Sequence, residues 1–224
     1  LGDVYKRQRH PILEEFAFLD SIVDGGVMKK QHIPSPAEVM TQIIQRVERT
    51  QIETVYSDIR LLTDDIASCY KFLLTKLYDA GCRYVQFDGV HSVIMEDTIR
   101  LNNRVLRERP AGMYVAFHAP TDMLVQLHGA DAYFLNYDCG ACDRNRLLWF
   151  IHEKEAVFGF VLSHYPQEDE LDELQAKTES VLNYIPLKRF TLCLPDANAL
   201  LSPSEADEEK QWETCLLYTS PSPR

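Results

Sequence analysis

The sequence is short of positive charge, of glycine and of long apolar runs, and each shortage removes a class of protein. Among 224 residues, 23 are Lys or Arg against 34 Asp or Glu, a formal net charge of −11. A nucleic-acid binder needs a basic face to neutralise phosphates, so no nucleic-acid partner is expected. Nine glycines exclude collagen, and no Gly-rich phosphate loop follows any predicted strand. No stretch approaches the roughly 20 apolar residues of a membrane helix, so no membrane partner is expected either. There is no low-complexity tract, and no charged, apolar and small-residue leader opens the printed sequence. What is present, 46% hydrophobic and 25% charged residues, is the composition of one folded domain or at most two.

The two ends read differently from the rest. Residues 1–8 (LGDVYKRQ) and 215–224 (CLLYTSPSPR) back-translate to a sequencing adapter and its reverse complement. Both are read as adapter-derived and not native, which leaves 9–214 as the native domain. Within it lie Cys69, Cys82, Cys139, Cys142 and Cys193. An odd, scattered set is expected to be reduced thiols in a cytoplasmic protein, not a disulfide framework.

Apolar runs and helical periods alternate along 9–214. Val27–Ile33 is a short extended run stopped by Pro34, Ser35 and Pro36. A helix is expected over 37–48 with Val39, Ile43, Ile44 and Val47 on its inner face. After a looser stretch to Leu62, Ile66, Cys69, Tyr70, Leu73, Leu74, Leu77 and Tyr78 follow the 3.6-residue period. Thr63 suits its N-cap and Gly81 its left-handed C-terminal position. Strands are expected at 83–87, 113–117, 132–136, 156–162 and 190–194, with helices near 93–107, 143–151 and 168–184. Strands alternating with helices imply a parallel sheet with crossovers, and near-continuous apolar strands imply cover on both faces. Both a doubly wound open sheet and a (β/α)8 TIM barrel fit this pattern. Asp88, His118, Asn136, Asp138, Ser163 and Asp196 recur where the strands end, which favours the barrel, whose strand ends share one mouth.

Several segments resemble the cobalamin-independent methionine synthases, and more closely their short single-barrel relatives. The stretch from His10 to Leu19, HPILEEFAFL, is similar to the family's HPFLEDFKFL, and Lys30 to Pro36, KQHIPSP, to its KQTIPSP. Leu77 to Asp88, LYDAGCRYVQFD, is similar to FYDAGCRYIQLD, and Tyr184 to Leu187, YIPL, to YVPL. The resemblance runs in order across almost the whole of 9–214. It implies an α/β TIM barrel truncated to about strands three to eight, with strands one and two lying before residue 9. It also implies a methyltransferase of methionine biosynthesis, passing a methyl group from methyl-tetrahydrofolate to homocysteine held as a zinc thiolate.

The family's zinc ligands are the His and Cys of an H-x-C, a Glu ending strand six and a Cys after strand eight. Carried over by motif, His118 keeps its position. The H-x-C reads His118, Ala119, Pro120; the Glu position is Asn136; the last Cys position is Asp196. A three-residue slip would offer Cys193 in its place. Proline has no ligating side chain and neutral Asn is a poor ligand, so zinc is expected to be absent and the family's reaction not to run. Asp88 matches the aspartate that resembles a binder of the substrate amino group, with Gly89 where the family has a second acid. Two other readings stay open. One is a non-catalytic protein that binds an amino acid or a folate-like small molecule through Asp88 and His118. The other is an enzyme with relocated metal or redox chemistry at Cys139 and Cys142, a Cys-x-x-Cys pair just after the strand at 132–136. His91, His128, His152 and His164 lack ligand spacing, and Trp149 reads as core.

Overall fold

The computed structural model describes residues 10–89, 91–136, 155–159 and 171–193. They fall into two compact units that divide between Asp131 and Ala132. All strand pairs within each unit are parallel, so the α/β class is as the alternation implies. None of the described helices is long and apolar enough to cross a membrane.

In the first unit the order is α1 (Pro11–Ile22), β1 (Lys30–Pro34), α2 (Pro36–Arg46), α3 (Arg49–Val55), α4 (Ile59–Asp79), β2 (Tyr84–Asp88), α5 (Glu96–Glu108), β3 (Tyr114–His118) and α6 (Thr121–Leu124). β2 lies between β1 and β3 in unbroken register, so Pro34, Asp88 and His118 stand side by side at the strand ends. The register also separates the two faces, because side chains alternate along a strand. One face carries Ile33, Val85, Phe87, Val115 and Phe117, all buried. Phe87 stacks at a tilt on Phe117 (5.5 Å between centroids) and on Tyr70 of α4 (5.8 Å). Tyr70 also donates its hydroxyl to the Pro34 carbonyl at 2.7 Å. Helices α2, α4 and α5 pack on one another, with Ala37, Met40, Leu74, Leu77 and Leu101 buried.

The other face is more polar than near-continuous apolar strands imply, although Gln86 and Ala116 at its centre are buried. It carries Lys30, His32, Gln86, Asp88 and His118. Lys30 donates to Gln86 Oε1 at 2.7 Å, and Tyr84 and Tyr114 meet edge-on at 4.8 Å. β1 shows the alternation plainly, exposed at Lys30, His32 and Pro34 and buried at Gln31 and Ile33.

Three helical expectations shift. α4 begins at Ile59, capped by Asp58, which accepts from the Arg60 amide at 2.9 Å; Thr63 lies inside the helix and donates to the Arg60 carbonyl. α3 fills the supposedly loose stretch and buries no residue, so no apolar period marks it. α2 turns Ala37, Glu38, Met40 and Thr41 inward, while Ile44 is exposed. Val39 and Ile43 are half-buried, and the buried Glu38 and Thr41 each have a hydrogen-bond partner.

In the second unit, β4 (Ala132–Asn136), β5 (Glu155–Gly159) and β6 (Phe190–Cys193) pair in parallel, with Asn136 beside Gly159 and Gly159 beside Cys193. α7 (Leu171–Leu182) precedes a 3-10 turn at Leu187–Arg189, and Val181 and Ile185 are buried. The helix expected at 143–151 lies outside the described residues.

Candidate functional site

The site is built where β1, β2 and β3 end. Two backbone hydrogen bonds continue the ladder past the strands: the Ser35 amide donates to the Asp88 carbonyl at 2.5 Å and the Gly89 amide to the His118 carbonyl at 2.7 Å. Ser35 also caps α2, its hydroxyl accepting from the Glu38 amide at 3.1 Å, with Pro36 in the first helical turn. Ser92 donates to Glu38 Oε2 at 3.1 Å, and the Val93 amide donates to Thr41 Oγ1 at 2.9 Å. The loop after β2 is thereby tied to α2 through buried polar groups.

Gly89 sits inside this knot. A Cβ there would lie 2.4 Å from Ser35 Oγ and 2.8 Å from Ser92 Oγ. A side chain at this position, where the resemblance places a second acid, would force Ser35 and Ser92 to shift.

Asp88 projects from the end of β2 between two histidines. His32 Nε2 lies 3.3 Å from its Oδ2, and His118 Nδ1 lies 3.3 Å from its Oδ1. The side chains of His32, Asp88 and His118 are 55%, 34% and 27% exposed. Oδ1 is buried and receives no well-aligned hydrogen bond. Burial favours the protonated carboxyl, but the facing imidazoles of His118 and His32 outweigh it and hold Asp88 well below the usual carboxylate range. The carboxylate is therefore ionised at neutral pH.

The structure thus brings together Asp88 and His118. Asn136 ends β4 in the second unit. Cys193 ends β6. Asp196, Cys139, Cys142, Asp138, Ser163, His152, His164 and Trp149 lie outside the described residues. Pro120 occupies the N-cap of α6, where the resemblance places a thiolate ligand. Among the described residues, no three His, Cys, Asp or Glu side chains group closely enough to hold a metal ion. His91 and His128 are exposed, and Cys69 and Cys82 are free thiols.

Sequence reasoning missed His32. Its signal was available: KQHIPSP departs from the family's KQTIPSP at this one position. The alternation of β1 also puts residue 32 on the same face as residue 34, which pairs with Asp88.

No family model matches the chain. Two uncharacterized Bacillus subtilis proteins, YxjG and YxjH, are 24% and 25% identical to it over 91% of its length. The chain spans only 63% of each of them. Among solved structures, a candidate vitamin-B12-independent methionine synthase from Listeria monocytogenes superposes with a TM-score of 0.65 at 24% identity, over 92% of this chain and 67% of that one. The chain shares that fold. A B12-independent methionine synthase from Shewanella sp. W3-18-1, solved in complex with selenomethionine, superposes with a TM-score of 0.60 at 15% identity, over 95% of this chain and 70% of that one.

Proposed function

We propose that the chain is part of a (β/α)8 barrel of the methionine synthase type, its six described strands being strands three to eight. We propose further that it binds a small amino acid of the methionine or homocysteine class where β1, β2 and β3 end. The observation that carries this reading is the ionised Asp88 carboxylate, partly open to solvent, at the end of a segment resembling the family's amino-group-binding stretch. The selenomethionine held by a structure of the same fold supports it.

The donor set does not fit the family's zinc. His118 is an ordinary zinc ligand, but Pro120 offers no donor and Asn136 is a neutral amide where a carboxylate belongs. No step through a zinc thiolate is therefore assigned, and transfer from methyl-tetrahydrofolate to homocysteine is not part of this reading.

Calorimetric titration of the 224-residue chain with L-methionine and L-homocysteine tests it. Binding is expected, and Asp88→Asn is expected to weaken it by about tenfold, the worth of a charge-assisted hydrogen bond. Zinc content of the reduced protein is the second readout, with far less than one ion per chain expected. Stoichiometric zinc lost on His118→Ala would restore the family's chemistry. Zinc lost on Cys139→Ser and Cys142→Ser would assign the metal to that pair.

A further inference from the structure

We propose that Glu38 is a positioning residue for the site. With Ser35 and Ser92 it closes a ring of hydrogen bonds that holds the Asp88–Gly89 backbone in place. Ligand binding at Asp88, the amino-acid reading on which this rests, then depends on a side chain that is itself buried.

The ring has a fixed direction. The Glu38 amide donates to Ser35 Oγ at 3.1 Å, and the Ser92 hydroxyl donates to Glu38 Oε2 at 3.1 Å. Ser35 Oγ and Ser92 Oγ are 3.4 Å apart. A hydroxyl has one proton. That of Ser92 is already given to Glu38, so Ser35 donates the third bond and Ser92 accepts it. Glu38 therefore both opens and closes the ring. Its other oxygen, Oε1, accepts from Gln42 at 3.2 Å. Ser35, Glu38 and Ser92 are all buried. Each would cost free energy in the interior without a partner, whereas a closed ring satisfies all three and stiffens them.

The same two serines clasp the end of β2. The Ser35 amide donates to the Asp88 carbonyl at 2.5 Å, and the Ser92 amide donates to the Gly89 carbonyl at 3.0 Å. Side chains that bind one another thus bring two amides to two successive carbonyls. A ring that served only to join α2 to α5 would not need this clasp. Asn102 of α5 already makes that connection, its Oδ1 accepting from the Ala37 amide at 3.0 Å.

The test uses the full chain, with L-methionine as the probe. Glu38→Met keeps an unbranched side chain and removes both oxygens. It should weaken L-methionine binding roughly tenfold, the worth of a hydrogen bond left unmade in the interior. It should also speed amide hydrogen exchange at Ser35 and Gly89 about tenfold more than at Val115, near the start of β3. Glu38→Gln, which keeps an oxygen for Ser92, should retain wild-type affinity and exchange. Ser92→Ala should match Glu38→Met, and the double variant should add little, because one ring is broken either way. Leu77→Ala, a core truncation on α4 near the start of β2, should leave the affinity unchanged. Circular dichroism checks folding, and Ser92→Ala carries the test if Glu38→Met does not fold. Wild-type affinity in Glu38→Met, or exchange at Ser35 and Gly89 no faster than at Val115, overturns the proposal while the amino-acid reading stands. The ring then only packs helices. No L-methionine binding by the wild type overturns the amino-acid reading, and the exchange measurement alone then decides for or against the ring.

Discussion

The two faces of the strands β1, β2 and β3 come from the same fifteen residues and do opposite work. Ile33, Val85, Phe87, Val115 and Phe117 are each at most 1% exposed, and they hold the helices to the sheet. One residue along each strand, His32, Asp88 and His118 stand partly in solvent, with their charge and hydrogen-bonding groups close together. Parity along a strand therefore separates stability from chemistry in this unit. The core face is apolar apart from Gln31, and the other face carries the ionisable groups. The boundary between them is the knot of Ser35, Glu38, Gly89 and Ser92. It adjoins Asp88 through the Ser35 amide, which donates to the Asp88 carbonyl.

This contrast can be broken by substitutions on each face, and the core should respond most. Phe87→Ala removes a ring packed against Tyr70 and Phe117, and a loss of about 3–5 kcal/mol is expected in urea denaturation. A loss under 1 kcal/mol would mean that this face is not the core. At the boundary, Gly89→Ala forces a methyl group against Ser35 and Ser92, and a cost of about 1–3 kcal/mol is expected by the same measurement. A neutral result there would show that the knot yields easily.

On the polar face the effects should be smaller and depend on conditions. The folded-state proton affinity of Asp88 is depressed. The carboxylate thus contributes stability at pH above its unfolded value of roughly 3.9. That contribution is lost as pH falls through the lower folded value. Asp88→Asn should therefore lower stability at neutral pH and flatten its decline below about pH 4, read as denaturation midpoints across the acid range. An unchanged acid slope would show that the two histidines do not hold the carboxylate. The smallest effect belongs to His32→Ala, whose side chain is exposed and whose stability cost is expected within about 0.5 kcal/mol. A larger cost would place His32 with the structural face.

The stop signals and most strand positions were legible because their physics is local, but β1 begins at Lys30 and not at the expected Val27, and Val27 and Met28 are exposed. Pro34, Ser35 and Pro36 end β1 and start α2 through backbone constraint and capping, and Gly81 takes the positive φ of 98° that ends the turn after α4. Ala132–Asn136 emerged with its expected bounds. The helix faces were less legible. The apolar stripe of α2 pointed to Ile44, which is exposed, while Glu38 and Thr41 are buried and satisfied by Ser92 and the Val93 amide, over fifty residues away. Of the site, Asp88 and His118 were visible as polar residues at strand ends. His32 was not, since it lies two residues before the end of β1.

The order of elements, the parallel class and the residues that punctuate them follow from the sequence, because capping, turn formation and alternation act over a few residues. Which polar residues meet was decided by tertiary structure alone. Strand register sets Pro34, Asp88 and His118 side by side across segments far apart in the chain. Only that pairing brings two imidazoles to one carboxylate.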